Sequence, residues 1–139
     1  MSRVNKRTIH PVHAVLLASS LSLFLGTLLS DWAYASSYEV QWINFAAWLN
    51  AGALIFAGLA LAWAIVEFFR PDVDRGAHSV LYLATLLGTF VFGLLAALVH
   101  GRDAGATMPG GLILSLISFV LALAATWLGF STLRAEHLR

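Results

Sequence analysis

Few residues in this chain can do chemistry, and their positions are telling. The 139 residues include five histidines, seven aspartates and glutamates together, and no cysteine. Without cysteine there are no disulfides, no thiolate catalysis, no protein-held iron–sulfur cluster and no covalent c-type haem. His13, Glu67 and His78 each fall within about a turn of the same end of a long apolar run, so they share one depth. His10 lies one turn before His13. Two imidazoles facing each other across a bundle could ligate one iron at metal–nitrogen distances of about 2 Å. A porphyrin would fill the space between them, and a haem b with both axial positions taken would pass electrons. His13 and His78 are therefore the candidate metal ligands, with His10 and Glu67 beside them in the candidate cofactor site. Glu67 would orient a histidine as a hydrogen-bond acceptor. Without haem, His13, His78 and Glu67 make a two-nitrogen, one-carboxylate set of the kind that holds zinc or iron. The plain alternative is that the histidines reach interfacial water and Glu67 pairs with Arg70, three residues on.

A second set, Asp31, Asn50 and His100, falls at the opposite end of the runs. Ionisable residues at membrane depth are functional candidates by default. At a rim, however, Asp31 and His100 can simply be solvated, and that is the expectation for this outer set. For His137, in the tail, only solvation is expected.

The elements that must position these residues follow from composition. The chain is 60% hydrophobic and only 11% charged. A soluble domain carries about 25% charged residues, so there are too few here to cover a water-exposed surface. The net charge of +1 gives no electrostatic case for nucleic acid. Residues 8–30, 40–66, 76–101 and 104–133 contain no Asp, Glu, Lys or Arg. Each exceeds the roughly 20 residues needed to cross a hydrocarbon core about 30 Å thick. Their length and their lack of period-two alternation exclude barrel strands. The expectation is an all-α polytopic membrane protein. It is a single four-helix domain over residues 1–139, an antiparallel up-down-up-down bundle with helices at about 11–30, 42–69, 77–100 and 110–133.

Orientation follows from the basic residues. Arg3, Lys6, Arg7, Arg70, Arg75, Arg134 and Arg139 fall on one side, and only Arg102 on the other. The positive-inside rule then puts both termini in the cytoplasm of a bacterial inner membrane, with Trp32, Tyr34, Tyr38 and Trp42 in an outer aromatic belt. The basic start and Ala33-Tyr34-Ala35 also suit a signal peptide, but the apolar stretch is long for an h-region of about 7–15 residues.

Helices in lipid associate through small and polar residues. Each run carries one such seam: His13, Ser20, Thr27 and Asp31; Asn50 through Ala64 to Glu67; His78, Tyr82, Thr85, Thr89, Gly93, Ala96 and His100; and Gly111, Ser115, Ser118, Ala122, Ala125, Gly129 and Thr132. All four seams are expected to face inward.

The stretches IHPVHAVLLASSLSLFLGTLLSDWAY, RGAHSVLYL and ATWLGFSTL resemble the small four-helix bacterial membrane proteins of domain-of-unknown-function family 2231. His10, Pro11, His13, His78, Trp127, Leu128 and Gly129 match that family's pattern. Ala14 stands where a second proline is usual, Glu67 where Asp is usual, and Ala125-Thr126 where Ser-Gly is usual. The resemblance spans Ile9 to Leu133. It implies a four-helix membrane protein in which the histidines matter, and it implies no particular activity.

Three functions compete. One is a b-type electron-transfer module on His13 and His78. Another is a non-catalytic accessory subunit of a larger membrane complex, respiratory for example, or a homo-oligomer; in either case no stand-alone catalysis is expected. The third is a proton relay or transporter along the polar stripe of the third helix.

Overall fold

The computed structural model describes residues 9–71 and 75–135. Four helices account for nearly all of it: α1 (Pro11–Ser37), α2 (Val40–Phe68), α3 (Ala77–His100) and α4 (Gly110–Ala135), with one 3-10 turn at Ala104–Ala106. All four are long and apolar enough to cross a membrane. Arg3, Lys6, Arg7, His137 and Arg139 lie outside the described residues, so the charge pattern that orients the chain rests on sequence.

The expected helices are present, and the largest difference is at the end of α1. That helix was expected to stop at Ser30, and it runs on to Ser37. Asp31 does not interrupt it because its carboxylate finds partners inside the bundle. Ser36 and Ser37 donate back to the carbonyls of Trp32 and Ala33, at 2.8 and 2.7 Å. The helix closes at Tyr38, whose φ of 57° is left-handed and whose N–H reaches Tyr34 O. At the other end, Pro11 occupies the first turn, where its missing N–H costs nothing. His10 caps that turn by accepting from the Val12 N–H on Nδ1 at 3.2 Å.

Contacts fix the register. Leu17 lies against Gly129, and Asp31 meets Ser115: fourteen residues up α1 are fourteen down α4. Similarly, His78 meets Ser131 and Gly88 lies against Leu121, ten up α3 and ten down α4. Neighbouring helices therefore run antiparallel. Each helix packs on two neighbours, and the diagonal pairs α1–α3 and α2–α4 scarcely approach.

The seams face inward with exceptions. Ala53, Ala57, Ala60 and Ala64 of α2 and Ala122 and Ala125 of α4 are buried, and they let the large side chains Leu17, Phe24 and Leu86 fill the centre. Since lipid is as apolar as leucine, this interior is held by close packing and hydrogen bonds rather than by hydrophobic exclusion. Glu67 and His78, expected inside, are exposed. Each sits in a terminal turn, where the helices no longer cover the seam. Tyr34, expected in the outer belt, is buried, while Trp32, Tyr38 and Trp42 are exposed.

Candidate functional site

The outer set forms the best-built polar site. Asp31 of α1 is fully buried. Its Oδ1 accepts from His100 Nε2 of α3 at 2.8 Å. Its Oδ2 accepts from Ser115 Oγ of α4, a hydroxyl that also lies 2.8 Å from Gly111 O. The His100 and Asp31 side chains are 1% and 0% exposed. Solvation was the expectation for these two, and it does not hold: α1 continues past Asp31, which carries the carboxylate inside the helix ring. Asn50 of α2 joins the same half of the bundle, donating from Nδ2 to Gly93 O at 3.0 Å.

A cap lies over the site. Thr107, in the segment joining α3 to α4, is fully buried. A Cβ at Gly111 would sit 2.8 Å from Thr107 Cγ2 and 3.8 Å from His100 Nε2. A side chain at 111 would push on Thr107, so glycine lets Thr107 pack against the start of α4 next to the histidine.

The opposite end holds His10, His13 and His78. His13 is buried, and its Nε2 is 2.5 Å from Tyr82 Oη. Trp63 of α2 packs against both His10 and His13, with ring centroids 5.0 and 5.8 Å away. His78 is exposed and turns Nε2 to Ser131 Oγ at 3.2 Å. The structure thus gathers His10, His13, Trp63 and Tyr82. It leaves His78 and Glu67 at the rim, each exposed. His13 and His78 bond to different hydroxyls and do not converge on a common centre. Among the described residues, no three His, Asp or Glu side chains are gathered as a metal site requires.

Between the two ends the polar stripe is broken. Ser20, Thr27, Thr85, Thr89 and Ser118 all donate to carbonyls of their own helices. Leu17, Phe24 and Leu86 block the middle. A Cβ at Gly93 would come within 2.9 Å of Leu54 and 3.0 Å of Phe24, so the Phe24 ring lies flush on α3. The polar positions of α3 therefore form two end sites with an apolar plug between them.

Three buried polar atoms have no hydrogen-bond partner among the described residues: His13 Nδ1, Asn50 Oδ1 and His100 Nδ1. Burying an unpaired polar atom costs about 1–3 kcal/mol. Such atoms mark places where the bundle is not optimised for stability alone.

Residues 9–137 match the family described as predicted membrane protein (DUF2231). The chain belongs to this family. It is an integral membrane protein with four apolar helices. No curated protein and no solved structure matches it. The residues that carried the DUF2231 resemblance are mostly at one end: His10 caps α1, His13 is buried beneath Trp63, and Gly129 receives Leu17. Ser115, Thr107 and Trp63 were not among the expected site residues. Ser115 stood on the α4 seam as a packing residue, and residue type alone does not separate a packing serine from a carboxylate's partner. Thr107 lay in a loop with no periodicity to read.

Proposed function

We propose that this membrane protein binds and yields a proton on the Asp31–His100 pair at one end of its bundle. The carrying observation is a buried carboxylate and a buried imidazole, 2.8 Å apart, supplied by two diagonal helices. With one proton added to carboxylate and neutral imidazole, the pair carries no net charge; without it, one negative charge is enclosed by helices. Burying an isolated charge is expensive, and a proton on the pair is what keeps the enclosed site free of net charge. Ser115 steadies both states, since its hydroxyl can donate to Oδ2 in either. The reading gives the chain a binding role and no catalytic step of its own, as suits an accessory subunit of a larger membrane assembly.

Infrared spectroscopy of the protein in lipid vesicles tests this. A carboxyl C=O band is expected to appear as the solution is acidified within the range where the protein stays folded. Asp31→Asn, which preserves shape, is expected to lose that band and keep the fold. Identical carboxyl spectra for wild type and Asp31→Asn would remove the reading.

Haem ligation by His13 and His78 is the second reading. One observation favours it: His13 Nδ1 is buried and unpartnered, so this imidazole has a nitrogen to spare. It would require His78 to leave Ser131 and swing inward. Purified protein with added haem decides it. A Soret band lost in both His13→Ala and His78→Ala supports it, and no band sinks it.

A further inference from the structure

We propose that His100 Nδ1 is the port through which the Asp31 site exchanges its proton, and that the Thr107 segment closes that port. This rests on the proton-binding reading above.

His100 has two ring nitrogens with different surroundings. Nε2 is committed to Asp31, and Nδ1 is buried without a partner. Around the pair, α1 supplies Asp31 with Tyr34 buried one turn on, α2 brings the buried Asn50 to this half of the bundle, α4 supplies Ser115, and the α3–α4 segment supplies Thr107 over Gly111 and the exposed Asp103. Ser115 does not lead outward, because its hydroxyl's other neighbour is the backbone carbonyl of Gly111. Thr107 Oγ1 likewise donates to a backbone carbonyl, that of Asp103, at 3.3 Å. Nδ1 is thus the one uncommitted atom of the bonded chain that runs from Gly111 O through Ser115 and Asp31 to His100.

Imidazole can pass a proton from one nitrogen to the other without rotating. A hydronium ion gives its proton to Nδ1: its O–H bond breaks, leaving water, and an N–H bond forms on a transient imidazolium. The Nε2–H bond then breaks as an O–H bond forms on Asp31 Oδ1. One proton has entered, the carboxyl is neutral, and the imidazole is neutral with its hydrogen on Nδ1. Release is the reverse. The bilayer face beyond the cap is the aqueous source, reached when the segment around Thr107 parts from Gly111. The apolar plug at Phe24 and Leu86 closes the route toward the other end.

The experiment follows proton exchange between the site and water as the rate at which the Asp31 carboxyl band grows after vesicles are mixed into acidic buffer. His100→Gln puts an amide nitrogen where Nε2 was and supplies no second ring nitrogen. It is expected to keep the band but to slow its exchange about a hundredfold or more, the usual loss when one acid–base group leaves a proton path. Gly111→Ala pushes on Thr107 Cγ2 and is expected to speed exchange. Exchange in His100→Gln as fast as in wild type overturns the port. If His100→Gln fails to fold, Gly111→Ala decides: faster exchange supports the capped port, and an unchanged rate overturns it. A wild-type protein with no titrating carboxyl would instead overturn the proton-binding reading itself.

Discussion

His13 and Tyr82 meet on the same two helices as Asp31 and His100, and with the same spacing. Eighteen residues separate His13 from Asp31 on α1, and eighteen separate Tyr82 from His100 on α3. At about 3.6 residues per turn that is five full turns, so both members of each helix point the same way at both ends. Two diagonal helices whose backbones stay apart are clasped by polar side chains at each end.

Removing one half of the Asp31–His100 clasp leaves the other half buried and unpaired. Asp31→Ala and His100→Ala are each expected to cost about 3–5 kcal/mol. The double variant should lose less than the two losses added, by about 0.5–3 kcal/mol, because the members act as a unit. Unfolding in mixed micelles measures all three, and additive losses would show that the pair does not interact.

Asp31→Ala and His13→Ala, in contrast, should add within about 0.5 kcal/mol. They lie about 27 Å apart along α1 and share no partner. Strong coupling in the same assay would mean that the plug at Phe24 transmits strain from end to end.

Tyr82→Phe removes the hydroxyl on His13 Nε2 and leaves a buried ring with both nitrogens unpaired among the described residues. The expected loss is about 1–3 kcal/mol. Ser131→Ala deprives the exposed His78 of its partner and should cost less than about 0.5 kcal/mol. Equal losses would contradict the difference in burial.

Gly93→Ala should destabilise by about 1–3 kcal/mol, since its methyl meets Phe24 and Leu54 in a filled centre. Pairing it with Phe24→Leu should restore part of the loss, as thermal unfolding would show.

A cysteine at Gly105, exposed with nothing within 4 Å of it, and one at Arg75 should be labelled from opposite faces of sealed vesicles. The positive-inside rule predicts that the Gly105 face is the one labelled from outside the cytoplasm. Labelling of both from one face would overturn the span count.

The helices were legible because uncharged runs and their breaks are one-dimensional signals. The inward positions Ala53, Ala57, Ala60 and Ala64 were legible for the same reason, since small residues recur at helical spacing. The sites were less so. Asp31, Asn50 and His100 stood out as ionisable or amide residues near a span end, yet whether Asp31 is solvated depends on how far α1 continues and on what faces it from α3 and α4. The five-turn match between α1 and α3 is a relation between two segments, invisible along either one. His78 and Glu67 erred the other way: they fit the seam by spacing, but at its last turn the bundle no longer encloses it.

The clasp spacing also gauges the membrane. About 27 Å separates the two polar ends along α1, close to the roughly 30 Å of a typical hydrocarbon core. Trp32, beside Asp31, points outward at that level and suits a headgroup boundary. The distance between the two polar ends therefore suits a bilayer core of about that thickness. In a much thicker membrane the mismatch would be met by thinning the lipid around the bundle, so thickness alone would favour some membranes over others as its home.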